Sequence, residues 1–312
     1  MKKVKVEVLI EKKKRNLKKN ILFVVNPISG DIDKSALIES VSQFAAKENL
    51  NIIVYTTTGE NDIQNIKDLY TNYKPARVIV AGGDGTIKMV AEAMEKEDVI
   101  LGILPAGSAN GLAVDLNLPT TVEENLSIVF LNDYLAIDMI SINGKKSIHL
   151  SDIGLNAALV KNYESSSVRG MWGYALQTVS TLMELDDPFI ATITGDFPTI
   201  VSEARMVVIA NSQKYGTGVT INPHGVMNDG KFELVVLKNM DLLLLGKIIT
   251  GNMPLDDEDV AIISTNKAQI SLNVPADFQI DGEYCGKETK LNIEILKGQM
   301  KVAIPDIDSS II

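Results

Sequence analysis

Asp84 stands between two glycines in the run Val78–Met89, V-I-V-A-G-G-D-G-T-I-K-M. A carboxylate so flanked has little packing to explain it. Val78, Ile79, Val80 and Ala81 suit a strand buried on both faces. Gly82, Gly83 and Gly85 then allow backbone conformations closed to other residues and leave no Cβ in a ligand's way. A helical pattern from Thr86 to Lys96 follows, its free N–H groups and positive dipole end turned to the loop. Together these make a phosphate cradle, and an acidic group fits inside one when magnesium bridges carboxylate and phosphates. Capping of the following helix is the competing explanation for Asp84.

The same device occurs twice more. Ile21–Val25 is an apolar strand running into Asn26-Pro27-Ile28-Ser29-Gly30, and Ile100–Leu104 is another running into Pro105-Ala106-Gly107-Ser108-Ala109-Asn110-Gly111. In an open parallel sheet, ligands bind outside the carboxyl ends of the strands, so three such turns along one edge point to a phosphate site. None of them is a G-x-x-x-x-G-K-[ST] loop, and none is a clean G-x-G-x-x-G opening a helix. A P-loop NTPase and a standard dinucleotide fold are therefore disfavoured.

Further carboxylates lie in the second half. Asp281 and Glu283 flank Gly282, and in an extended segment positions i and i+2 share a face and could serve one site. An ordinary D-G turn with an exposed Glu is the plainer alternative. Asp138 sits in the apolar run A-I-D-M-I, where a bare carboxylate is expensive. Asp229, in N-D-G-K-F, is open to a type I′ hairpin turn. His149 and His224 have neither triad nor ligand spacing and read as structural.

These residues need a scaffold that gathers them. Up to about residue 137, strands alternate with helices: Ile21–Val25, Lys34–Glu48, Ile52–Tyr55, Ile63–Tyr70, Val78–Ala81, Thr86–Lys96 and Ile100–Leu104, with another helical start near Asn110. That series implies an α/β domain with a parallel sheet covered by helices. From Asp138 on, short alternating strands dominate, as at Met206–Ala210, Phe232–Leu237, Gln269–Leu272, Leu291–Ile295 and Met300–Ile304. Helical interruptions fall near Met171–Glu184 and Asp241–Gly251. The second half reads as an all-β antiparallel sandwich, with the cleft between the two domains. The division expected is a basic arm at 1–20, a nucleotide-binding domain at 21–137, a substrate domain at 138–304 and a tail at 305–312.

Composition narrows the class. The 312 residues carry a net charge of −10, but the first twenty alone carry +7 and the remainder −17. The arm could draw the protein to an anionic membrane surface, or it could be only a solvated or strand-forming leader. An acidic body with 5% aromatic residues gives nucleic-acid binding little support. The one cysteine, Cys285, excludes an intramolecular disulfide and a multi-cysteine zinc site, which fits a reducing cytoplasm. No membrane-spanning run and no secretory h-region are evident, so a cytoplasmic protein, peripheral at most to the inner membrane surface, is expected. A homodimer is compatible with the sequence but not fixed by it.

N-P-I-S-G at Asn26–Gly30, G-G-D-G-T at Gly82–Thr86 and L-P-A-G-S-A-N at Leu104–Asn110 occur in that order. They are followed by A-N-S-Q-K-Y-G-T-G at Ala210–Gly218, N-D-G-K-F-E-L at Asn228–Leu234 and Q-I-D-G-E at Gln279–Glu283. In this set the chain resembles the diacylglycerol kinase catalytic-domain family, which includes bacterial soluble lipid kinases and sphingosine kinases. G-G-D-G-T alone is shared with NAD kinases and resembles a phosphofructokinase turn. The late N-D-G and Q-I-D-G-E pieces make the lipid-kinase resemblance specific.

The resemblance implies an α/β domain of NAD kinase or phosphofructokinase type joined to a β sandwich, with ATP as phosphoryl donor and Mg2+ as cofactor. The acceptor it implies is a membrane lipid hydroxyl, diacylglycerol first. A sphingoid base, phosphatidylglycerol, another alcohol, NAD, or a catalytically weak binding protein are the alternatives. ATP contacts are implied for Asn26, Pro27, Ser29, Gly30, Thr57 (or Thr56), Gly82, Gly83, Gly85, Thr86, Gly107 and Ser108. Glu283 is implied as general base with Asp281 as its partner, and Asp84 as essential. Asp138 is implied to help Asp84 organise the catalytic magnesium. Asp229, with the carbonyls of Val226 and Lys231, is implied to hold a second, structural magnesium.

The chain departs from the family pattern at three places. Lys88 and Met89 replace an Asn-Glu pair, N-G-L-A-V at Asn110–Val114 replaces N-D-F-A-R, and Val160 stands where sphingosine kinases place an acidic residue.

Overall fold

The computed structural model describes residues 20–306 except 31–32, 96, 109, 156, 158–187, 215–219 and 239–259. The arm at 1–19, the tail at 307–312, both helical interruptions and Val160 lie outside the described residues.

Four parallel strands open the fold: β1 (Asn20–Val25), β2 (Asn51–Thr56), β3 (Arg77–Gly82) and β4 (Ile100–Pro105), in the spatial order β4-β3-β1-β2. Alternation along β1 explains why both faces are covered. Ile21, Phe23 and Val25 enter one core with Leu37, Val41 and Phe130, while Leu22 and Val24 enter another with Ile66, Ile87 and Val90. The first core lies under α1 (Lys34–Lys47) and α5 (Val122–Leu131), whose Phe44 and Phe130 rings stack with centroids 5.0 Å apart. The second lies under α2 (Asp62–Tyr73) and α3 (Asp84–Ala93), with the short α4 (Gly111–Asp115) beside it.

Register decides where the loops emerge. Val25 pairs with Thr56 and Ala81, and Ala81 with Leu104. Four strands thus end at one level, and the three glycine loops leave side by side.

The second half is antiparallel: β5 (Tyr134–Ile142), β6 (Lys145–Ser147), β7 (Leu150–Gly154), β8 (Phe189–Gly195), β9 (Ile200–Ala204), β10 (Met206–Ala210), β11 (Phe232–Leu237), β12 (Val260–Thr265), β13 (Lys267–Ile280) and β14 (Glu283–Ala303). These strands form the antiparallel β sandwich around Ile140, Ile153, Phe189, Val207, Phe232, Ile270 and Phe278.

Two elements differ from the sequence expectation. Leu291–Ile295 and Met300–Ile304 are not separate strands, because Leu291–Ile295 and all of the second but Ile304 lie within β14, whose pairing with β5 shifts register between Leu296 and Met300. A polar run in the middle of a long edge-to-edge strand reads locally as a break, but here it is a bulge. Helix α5 is absent from the sequence expectation, although Thr121 caps its start, accepting from the Glu124 N–H at 3.4 Å and donating from Oγ1 to Glu124 Oε2 at 2.6 Å. Strand β5 crosses the division expected after residue 137, and the end of β14 returns to pair with β4 of the first half.

Candidate active site

The glycines of the three loops face one another. A Cβ on Gly107 would meet Gly83 Cα at 2.4 Å, and one on Gly30, which has φ +55, would meet Ala106 O at 2.6 Å. Both distances are below any real Cβ contact, so the first, second and third loops interlock only because those positions lack side chains. Asn26 joins the first loop to the second, with Nδ2 donating to Thr86 Oγ1 at 3.0 Å and its own N–H to Ala81 O at 2.9 Å. Asn110 grips Gly107 from both sides, accepting from its N–H at 2.8 Å and donating to its carbonyl at 2.9 Å. Pro27, Gly30, Gly85 and Ser108 are exposed on this edge, Ser29 is half-buried, and Thr57 follows β2 with its N–H on Val25 O.

Two donors differ from their expected use. The Thr86 N–H does not stand free at a helix start but closes a turn on Gly83 O at 2.9 Å. The Gly107 N–H is held by Asn110. Both hold the loops in shape.

Asp84 begins α3, and its carboxylate accepts from the Gly111 and Leu112 N–H groups at 2.8 and 3.1 Å. The expected competitor, a cap on its own helix, is replaced by a cap on α4, which the sequence does not place nearby. The far end of α4 is held too. Asp115 Oδ2 lies 2.7 Å from His149 Nε2, both side chains nearly buried. This His–Asp pair ties the α/β half to the sandwich.

Asp281 and Glu283 are not on one extended face. Ile280 pairs with Glu283 across a two-residue loop, and Asp281 and Gly282 have φ of +50 and +86, a type I′ turn between β13 and β14. Gln279 braces it, accepting from the Gly282 N–H at 2.7 Å. The Asp281 carboxylate is fixed by Ser147 Oγ at 2.8 Å and by the N–H groups of Ile148 and His149 at 3.0 Å. What unites the two acids is Lys88. Its Nζ lies 3.7 Å from Asp281 Oδ2 and 3.4 Å from Glu283 Oε2. Lys88 is one helical turn past Asp84, so the carboxylate hairpin meets the phosphate-type loop through that side chain.

Asp138 is brought to a different place. Its Oδ2 accepts from the Gly230 N–H and its Oδ1 from the Gly298 N–H, each at 2.7 Å. Gly298 is in the β14 bulge and Gly230 in the loop before β11, so the buried carboxylate satisfies one donor that the register shift leaves outside the ladder and one from a turn. None of these contacts runs to Asp84. Asp229 is exposed on the neighbouring loop with Val226 and Lys231 and accepts from the Lys231 N–H at 2.9 Å. Gly230 has positive φ but Asp229 does not, and the strand before this loop ends at Ala210, so this is not a type I′ hairpin.

Among the described residues, no three His, Cys, Asp or Glu side chains gather into a preformed metal cage. A magnesium ion arriving on a nucleotide keeps its waters and needs only one or two carboxylates. Asp84 retains lone pairs beyond the two N–H groups it accepts and fits that part.

Lys34 was missed in the sequence. Its Nζ donates to Ser29 O at 2.6 Å and Ala106 O at 3.4 Å, binding the first loop to the third. The available signal was a cation at the first position of a helix, where the dipole favours acids.

An α/β domain presenting interlocked glycine loops, met by a carboxylate hairpin from a β sandwich, is the architecture of a two-domain kinase. Residues 20–142 match the diacylglycerol kinase catalytic domain, and residues 152–304 match the YegS C-terminal NAD kinase beta sandwich-like domain. Lipid kinase YegS of Escherichia coli K12 is 26% identical over 267 residues, covering 83% of this chain and 88% of that protein. YegS of Salmonella arizonae is 26% identical over 293 residues, covering 91% and 95%. Two crystal structures from Bacillus anthracis share the fold, with TM-scores of 0.77 and 0.72 at 22% and 18% identity. They cover 92% of this chain and 98% and 97% of their own, and the second is described as a diacylglycerol kinase. The chain belongs to the diacylglycerol kinase catalytic-domain family.

Proposed function

We propose that the protein is an ATP- and magnesium-dependent lipid kinase that transfers the γ-phosphoryl group to a lipid hydroxyl, with diacylglycerol as the first acceptor. The observation that carries this reading is the meeting of the G-G-D-G-T helix with the Asp281–Glu283 hairpin at Lys88. A phosphate-binding edge and a base for the acceptor hydroxyl are what phosphoryl transfer to an alcohol needs. The lipid oxygen attacks the γ-phosphorus, the bond to the bridging oxygen breaks, ADP leaves, and Glu283 takes the hydroxyl proton. Asn26, Ser29, Gly30, Thr57, Gly82, Gly83, Gly85 and Ser108 line the nucleotide side, with Thr86 and Gly107 holding the loops that present it. Asp84 would hold the magnesium, which supplies neutralisation of phosphate charge. Asp229 with Val226 and Lys231 forms the candidate structural cation site. Among the described residues no helix is long and apolar enough to cross a membrane.

The test is turnover of radiolabelled ATP in mixed micelles, with diacylglycerol, a sphingoid base and phosphatidylglycerol compared side by side. Labelled phosphatidic acid that disappears in Asp84→Asn supports the reading. A labelled product from another lipid moves the acceptor, and NADP made from NAD would replace the reading altogether.

A further inference from the structure

We infer that Lys88 is a positioning residue for Glu283, an inference that rests on the lipid-kinase reading. Glu283 is at the lip of a two-residue turn with its side chain 65% exposed, and nothing in its own hairpin fixes its carboxylate. Among the described residues, Lys88 is the side chain that contacts that carboxylate. The ammonium itself is well placed. Lys88 is 13% exposed, it leaves α3 one turn after Asp84, and it is steadied by Asp281. Asp281 is in turn only 6% exposed and held by three hydrogen bonds from the 147–149 segment. A fixed carboxylate thus anchors a cation, and the cation orients a free carboxylate toward the phosphate-type loop.

Stability cannot be the main use of this contact. A pair with one largely exposed partner contributes little to stability, because water screens it. Orientation of a reacting group is worth far more, because a misplacement of about 1 Å costs on the order of 100-fold in rate. The value of Lys88 is therefore geometric, and it should be felt in kcat and through Glu283.

The experiment uses the full chain with Lys88→Met, Lys88→Arg, Glu283→Gln and the double variant Lys88→Met/Glu283→Gln. Lys88→Met should lower kcat about 10- to 100-fold while leaving the ATP KM within about twofold. Lys88→Arg, which keeps a donor cation, should recover most of the loss. In the Glu283→Gln background, Lys88→Met should change kcat by less than about twofold, since residues that act as a unit are not additive. An equal loss in both backgrounds, or a tenfold rise in ATP KM, would mean that Lys88 serves the nucleotide and would overturn the inference.

A second readout does not depend on catalysis. Cys285, the only cysteine in the chain, is two residues from Glu283 with its Sγ 3.5 Å from the Glu283 carbonyl. Its rate of reaction with a thiol reagent, without nucleotide, reports the order of the turn. Lys88→Met should raise that rate several-fold, and an unchanged rate would count against the positioning role. If the wild-type chain phosphorylates no lipid, the functional reading has failed, and the thiol rate alone then decides whether Lys88 orders the hairpin.

Discussion

A single substitution separates the contact that Asp84 makes from the role proposed for it. Its carboxylate caps α4 through Gly111 and Leu112, and it is the acid proposed to hold magnesium. Asparagine keeps the size and one acceptor, so Asp84→Asn should cost only about 1 kcal/mol of stability while lowering phosphotransfer by more than about 100-fold. Urea unfolding beside the micelle assay measures both, and an active variant would remove Asp84 from the chemistry. Gly107 shows a different kind of demand. Alanine there would place its Cβ 2.4 Å from Gly83 Cα, backbone against backbone. Gly107→Ala should therefore lower stability by about 1–3 kcal/mol and raise the ATP KM, because the second and third loops would have to part. Normal nucleotide affinity in a folded Gly107→Ala protein would show that the interlock is dispensable.

At the scale of elements, the turn from β2 to α2 depends on one buried acid. Asp62 accepts from Tyr55 Oη at 2.6 Å, Thr58 N at 2.9 Å and Gly59 N at 2.8 Å, which folds the loop after Thr57 over the helix start. Burial pulls its pKa up, but the hydrogen bonds from Tyr55, Thr58 and Gly59 outweigh that, and the net direction is down. Burial, and then donation to Asp62, push the Tyr55 hydroxyl up. An acid whose pKa is lower in the folded chain than in the unfolded one stabilises above the ordinary carboxylate range. That contribution is lost as pH falls through the folded value. Asp62→Asn should cost about 1–2 kcal/mol at neutral pH, and the gap from wild type should close as pH drops below about 4. A gap that stays constant across that range would mean the charge plays no part.

For the whole molecule, the two halves share strands. Met300–Ala303 of β14 pair with the start of β5, and Lys301 and Val302 pair with Ile100 and Leu101 of β4, so one sheet runs from β12 to β2. Separating the halves would break that ladder and uncover the second core at Val302 and Ala303. Calorimetry should accordingly show a single transition, with two resolved transitions as the contrary outcome. An anionic membrane would repel the −17 body, and the +7 carried by residues 1–20 would oppose that repulsion. Deleting residues 1–19 should weaken binding to anionic vesicles at low salt and leave turnover of a soluble short-chain acceptor nearly unchanged. Undiminished vesicle binding would deny the arm a membrane role.

Features written in neighbouring residues are legible from the chain alone. Val78–Ala81, an apolar run ahead of a glycine turn, suits a strand buried on both faces, and it lies within β3. Four such strands alternating with helices specify parallel pairing, and with it the edge where Asn26, Gly83 and Gly107 emerge. Met206–Ala210 and Phe232–Leu237 are strands with those same bounds, because local patterning and burial agree there. The tertiary structure alone decided which acid meets which partner. Lys88 and Glu283 are 195 positions apart, Asp138 and Gly298 are 160 apart, and Asp84 and Gly111 are 27 apart. No local period encodes such contacts. They follow from strand register, from a bulge that leaves backbone donors to be satisfied, and from glycine loops close enough to touch.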